Sequence, residues 1–227
     1  MQTLRMKSGL LHEFLEGLRD WGRVWAPVAA EQGLFRLEIV DDDVSRARPE
    51  AQRTVLPFKK LLLKPRFEML RSDGGQDAVA SADNDGGPQV FFGAHACDIH
   101  ALKILDLLYL ADCPDPYYRR NRERLVVVGY ACWPDEKCFC SSLGTSTADD
   151  GFDLFLTPLD DGIQVVVGSS LGDDIVRANP QLFEPGTRQD SRQYLERLRA
   201  REQAFTLKLD VTDLPFILDL KKDDPVR

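Results

Sequence analysis

Leu125-Val126-Val127-Val128-Gly129-Tyr130-Ala131 is the stretch that decides the fold. It lacks the apolar–polar alternation of a strand with one wet face, so neither face is marked for water. A short continuous apolar run of this kind is read as a strand buried on both sides, as in a parallel sheet covered by helices. Upstream, Gln89-Val90-Phe91-Phe92 forms a second candidate strand. Between the two, residues 98–111 carry helical spacing, with Ile99, Leu102, Leu105 and either Leu108 or Tyr109 on the inner stripe. Asp98 stands where it can cap that helix. The expected fold is α/β or α+β: a mixed sheet with flanking helices and functional loops at the strand ends.

The remaining segments fit that frame. Leu10 to Trp21 places Leu10, Leu11, Phe14, Leu15, Leu18 and Trp21 on one helical face. Residues 23–28 and 34–40 flank Glu31-Gln32-Gly33 as a hairpin, and Asp160-Asp161-Gly162 joins a second one made of residues 152–157 and 162–168. Residues 54–70 contain a short helix and a turn around Pro57 and Pro65. Ser72 to Pro88 is Asp-, Gly- and Asn-rich and reads as an exposed loop, and residues 171–178 and 190–205 read as helices. The expected organisation is one globular unit over residues 1–206 and a tail, 207–227, broken by Pro215 and Pro225 and suited to docking on a partner.

The chain has 227 residues, ample for a buried core, with 29 basic against 37 acidic side chains and a net charge of −8. That balance argues against nucleic acid as the principal partner. The basic run at residues 119–124 is read as a solvated segment. No secretory signal opens the sequence and no stretch is apolar enough for a bilayer. An odd count of five cysteines without an export signal is expected of a reducing interior, with the cytoplasm as the location.

Cys97 follows the first strand, and Cys132, Cys138 and Cys140 follow the second. Four thiolates released at strand ends form a plausible cage for one metal centre, since ligands in open α/β sheets gather beyond the carboxyl ends of strands. Pro134-Asp135-Glu136 provides a turn that brings the sulfurs to neighbouring corners. The spacing alone admits a zinc ion, an iron–sulfur cluster or unligated thiols, because neither the zinc-ribbon pair nor the ferredoxin run is present. Gly93, Gly129 and Gly144 are positioned for close backbone approach to such a centre, and the helix dipole is expected to lower the Cys97 pKa. His95 and His100 are expected in supporting rather than ligating roles, Cys113 as a bystander, and the aromatic rings of Asp115-Pro116-Tyr117-Tyr118 as core.

Phe92-Gly-Ala-His-Ala-Cys97-Asp-Ile-His-Ala-Leu102, Asp115-Pro-Tyr-Tyr118, Val127-Val-Gly-Tyr-Ala-Cys132, Cys138-Phe-Cys140-Ser-Ser-Leu-Gly-Thr145 and Gly151-Phe-Asp-Leu-Phe-Leu-Thr157 occur in a familiar order. Together with Pro57-Phe-Lys-Lys60 they resemble the iron–sulfur beta subunits of sulfhydrogenase-type nickel–iron hydrogenases and the A subunit of anaerobic sulfite reductase. The resemblance implies a [4Fe–4S] cluster on Cys97, Cys132, Cys138 and Cys140. It also implies a role in relaying electrons between a flavin- or nicotinamide-linked or ferredoxin-like partner and a catalytic subunit. Larger members continue into a ferredoxin-like domain with further cysteine motifs, whereas no cysteine follows Cys140 here. A chain of this extent is expected to carry one such cluster and to need another chain to continue the relay.

No catalytic acid, base or nucleophile set stands out in the sequence, so substrate chemistry is expected on another subunit. The alternative is a scaffold, zinc-stapled or metal-free, that docks other subunits. A thiol oxidoreductase is disfavoured because Cys138-Phe139-Cys140 lacks the two-residue spacing of thioredoxin-like sites.

Overall fold

The computed structural model describes residues 2–66, 68, 70–71, 79–80 and 87–214. Its strands, in chain order, are β1 Gln2–Met6, β2 Arg23–Ala29, β3 Phe35–Ile39, β4 Leu70–Arg71, β5 Val79–Ala80, β6 Gln89–Ala94, β7 Leu125–Tyr130, β8 Leu154–Pro158, β9 Ile163–Val167 and β10 Glu184–Pro185. The helices are α1 Leu11–Leu18, α2 Lys59–Leu62, α3 Ala96–Leu110, α4 Pro116–Glu123, α5 Ser170–Ala178 and α6 Arg188–Gln203. Eight strands form one sheet in the order β10-β1-β9-β8-β7-β6-β2-β3. The centre, β2-β6-β7-β8, is parallel, and antiparallel pairs extend it on both sides. This is the expected mixed sheet with flanking helices, an α/β fold.

All six residues of β7 are buried, and the reason is visible in which way they alternate. Val126, Val128 and Tyr130 join Phe92, Leu154 and Val165 in a core under α1 and α5. Leu125 and Val127 join Phe91, Ile99, Leu102 and Tyr118 in a second core under α3 and α4. With apolar cover on both faces, polar alternation would place unpaired groups inside the protein. On α3 the inner stripe continues through Tyr109, which stacks on Tyr118 at 5.0 Å, while Leu108 is exposed. Asp115 accepts the backbone N–H groups of Tyr117 and Tyr118, and the Tyr118 hydroxyl donates to Asp106 at 2.7 Å. Those rings are core, as expected. The basic run is in part tied down: Arg119 and Arg120 are exposed, but Arg122 pairs with Asp106.

Both expected hairpins form, as β2–β3 and β8–β9. One expectation is corrected: within residues 72–88, Val79–Ala80 pairs antiparallel with Leu70–Arg71. A two-residue ladder is made by backbone groups and is too short to print a side-chain period. Residues 72–78 and 81–86 of that expected loop, and 215–227 of the expected tail, lie outside the described residues.

Candidate metal centre

The parallel register of β6 and β7 sets the site. Ala94 lies opposite Gly129 after a bulge at Gly93, and Cys97 and Cys132 each stand three residues beyond that pair. Both cysteines therefore leave the sheet at the same level of the same edge. Gly93 adopts φ +91° in the bulge, a backbone region that a side chain would strain. A side chain at Gly129 would collide with the Phe155 ring, at 2.3 Å. These glycines serve the bulge and the packing of the sheet rather than the close approach to a bound centre expected of them, and Gly144 ends a turn.

After the bulge, the His95 backbone N–H donates to the Asp98 carboxylate at 3.1 Å. Asp98 thus caps α3 from its third position, with His95 as the residue that opens the helix. Cys97 lies in the first turn.

From β7, the Ala131 N–H donates to the Leu156 carbonyl at 2.9 Å, after which the chain crosses to β8 through residues 131–153. Asp135 organises the expected turn: its carboxylate accepts from the Lys137 N–H at 2.9 Å, and its carbonyl from the Cys138 N–H at 3.1 Å. Arg53 pairs with the same carboxylate. A 3-10 turn over Cys140–Leu143 follows, and the Thr145 N–H closes on the Cys140 carbonyl at 2.9 Å. Glu202 of α6 accepts from the Ser141 and Ser146 hydroxyls, and the Leu209 N–H donates to Ser142 Oγ at 3.0 Å.

All four expected thiols are half-buried, and Cys97, Cys132 and Cys138 each feel the charge of Cys140. The Cys97 thiol donates to Cys140, which holds Cys140 down at about 6 against the effect of burial, with Arg201 assisting. The same hydrogen bond, burial and the Asp98 carboxylate push Cys97 far up. The expected lowering of Cys97 by its helix is thereby reversed: a thiol whose S–H is hydrogen-bonded to a neighbouring sulfur is harder to deprotonate. Burial pushes Cys132 up to about 11 although Arg201 opposes it, and burial also raises Cys138. Cys113 stands exposed past the far end of α3, whose fifteen residues span about 22 Å at the helical rise.

Two buried nitrogens at this site have no partner among the described residues: His95 Nε2 and Arg201 Nε. A ring nitrogen of His95, Cys97 Sγ and an Asp98 oxygen lie within 4.8 Å of one another, which makes a mixed donor group beside the thiols. His100 is instead engaged with the Thr147 carbonyl at 2.8 Å. Half-buried thiols are soft donors of the kind that zinc and iron–sulfur cores take, and the unpartnered nitrogens suit an anionic occupant. Trp133, Phe139 and Leu143 of the same crossover are exposed. Sequence reasoning missed Arg201, because a basic residue in the highly charged segment 190–205 carries no mark of burial.

No family model and no solved structure matches the chain. Among curated proteins, the chain is similar to the sulfhydrogenase 2 subunit beta of Pyrococcus furiosus, with 41% identity over 220 residues. The alignment covers 97% of this chain and 64% of that relative, so the chain spans less than two thirds of the relative's length. Among the described residues, no helix is long and apolar enough to cross a membrane. Identity of this depth over nearly the whole chain supports its place in the sulfhydrogenase beta-subunit family.

Proposed function

We propose that Cys97, Cys132, Cys138 and Cys140 hold one [4Fe–4S] cluster and that the chain is an electron-transfer subunit of a cytoplasmic, hydrogenase-type redox complex. Its partners in this reading are a flavin- or nicotinamide-linked or ferredoxin-like chain on one side and a catalytic chain on the other. What supports the reading is the register that releases Cys97 and Cys132 at one level of the sheet edge, together with the interaction of Cys97 with Cys140 of the β7–β8 crossover. Half-buried thiols from remote segments and unpartnered buried nitrogens fit an anionic sulfide core. The similarity to a sulfhydrogenase beta subunit adds independent support.

When bound, such a cluster supplies reversible one-electron storage. The polypeptide's tasks are then positional. Four cysteine ligands leave the core no open coordination site, which favours outer-sphere transfer over substrate turnover. The half-buried position limits water, and exposed Trp133, Phe139 and Leu143 give a partner an apolar surface on the same crossover.

Anaerobic preparation of the chain tests this directly. The expected product is brown, with iron and acid-labile sulfide in cluster stoichiometry and visible absorption bleached by dithionite. A colourless protein holding one zinc ion and no sulfide would establish the scaffold reading instead.

A further inference from the structure

A polar strip crosses the sheet beneath α6. Thr157 of β8, Gln164 of β9 and Arg5 of β1 are direct neighbours across three strands. Arg5 is taken by Asp161 and by Asp190 of α6, the latter at 2.7 Å. Gln164 is left over: it is 4% exposed, and its Oε1 has no partner among the described residues. On the helix, Arg201 is 7% exposed, with one N–H of its fork on the Ser146 carbonyl and its Nε without a partner. Both residues line one cavity of about 380 Å³ between α6 and the sheet.

The sequence of α6 explains the space. Its fully buried residues are Asp190 and Arg201, near its two ends, and between them Tyr194 and Leu198 are only half-buried. Folded interiors keep few voids larger than a water molecule, and an orphaned buried polar atom costs free energy until something pairs with it. Water can pair with Gln164 and Arg201, but it gains nothing from Phe152, Phe155, Val166 and Leu198, which form the apolar wall. A volume of this size suits a small organic ligand, for which cavities run from about 300 to 1,000 Å³. The charged lining residues are Arg197, Arg201 and Asp149, so one positive charge is left for an occupant to balance.

We propose that this cavity binds a small amphiphilic carboxylate. Its carboxylate rests on the Arg201 fork, its apolar body against Phe152 and Phe155, and an N–H or O–H group donates to Gln164 Oε1. No cysteine lines the cavity, so the site does not depend on the cluster reading. Thr147, Ala148 and Asp149 of the β7–β8 crossover belong to its wall, and an occupant therefore lies against that segment.

Calorimetric titration of the full chain with 4-hydroxybenzoate, its methyl ester and benzoate tests the assignment. Saturable binding of 4-hydroxybenzoate is expected, about tenfold tighter than that of either the ester or benzoate, since each comparison removes one buried contact. Arg201→Gln is expected to erase the preference for acid over ester and to keep the preference for the hydroxyl. Gln164→Leu is expected to do the converse, and Arg192→Gln, on the exposed side of the same helix, to match wild type. Crossed losses of this kind cannot come from a general loss of fold. If Arg201→Gln fails to fold, the three probes on the wild-type chain and on Gln164→Leu still decide. No saturable binding of 4-hydroxybenzoate, as for a cavity that holds water only, would overturn the proposal. Equal affinity for acid and ester, or wild-type preferences in folded variants, would do the same. A wild-type chain that binds the acid yet assembles no cluster would sink the proposed function and leave this inference standing.

Discussion

Two crossovers join neighbouring parallel strands in this protein, and they are built in opposite ways. The β6-to-β7 crossover runs through α3 and α4 and is held by apolar burial, with Ile99, Leu102 and Tyr118 set against Phe58 and Phe91. The β7-to-β8 crossover has no α-helix. It is held by the Asp135 turn, the Cys140–Leu143 turn and ties to Arg53, Glu202 and Leu209, and it leaves Trp133, Phe139 and Leu143 exposed. Burial supplies order that needs nothing else. Turns and surface ion pairs each contribute little, so in the proposed cluster reading the second crossover draws its order from the bound core. Long irregular segments in compact domains are commonly functional for this reason: a helix would point its side chains outward at fixed steps and could not converge three sulfurs on one centre.

The sharpest contrast comes from breaking each crossover's own support. Leu102 of α3 is buried in the core beneath the first crossover, so Leu102→Ala is expected to cost about 2–5 kcal/mol, with or without iron, in denaturant melts. Thr187→Ala removes the cap of α6 and is expected to cost about 1 kcal/mol. Cys140→Ser is expected to abolish iron binding. In the iron-free state it should change stability by less than about 1 kcal/mol, since a half-buried thiol contributes little packing. A large loss in the iron-free state would show that the second crossover is held by its own packing after all.

The pH dependence sharpens the same comparison. In the iron-free reduced protein, Cys140 titrates near 6, below its ordinary value, because Cys97 donates to it. A depressed folded-state pKa contributes stability that is fully present above the ordinary thiol value and is lost as pH falls through about 6. Alkylation of Cys140 is expected to reach half its maximal rate near pH 6, and a midpoint near the ordinary thiol value would refute the Cys97 contact. The smallest effect is expected of Cys113→Ser, exposed beyond α3, which should keep its full iron content. Equal iron loss in that variant would place the ligand set elsewhere.

How much of this was legible beforehand differs between the crossovers. The apolar run of β7 and the spacing of α3 announce themselves, because burial selects side chains by periodicity. The cysteines are equally visible as residue types, and the ordered motifs around them carried the family resemblance. Their thiol chemistry was not legible. The Cys97 pKa expected from its helix was wrong in sign, because a contact with Cys140, remote in sequence, outweighs the local dipole. The glycines at 93 and 129 were read for a bound centre and turned out to serve a bulge and a ring contact, since nothing local reveals Phe155 across the sheet. Arg201 was invisible for the same reason.

By itself, then, the order of residues determined where the strands and helices lie, that the sheet is covered on both sides, and which side chains can ligate a soft metal. These follow from local periodicity and chemical type. Only the tertiary structure decided that Cys97 and Cys132 leave the sheet at one level, that Cys140 is held down while Cys97 keeps its proton, and that a guanidinium from α6 is buried. Strand register and the burial of a charge are relations between distant segments, and their energies exist only once those segments touch.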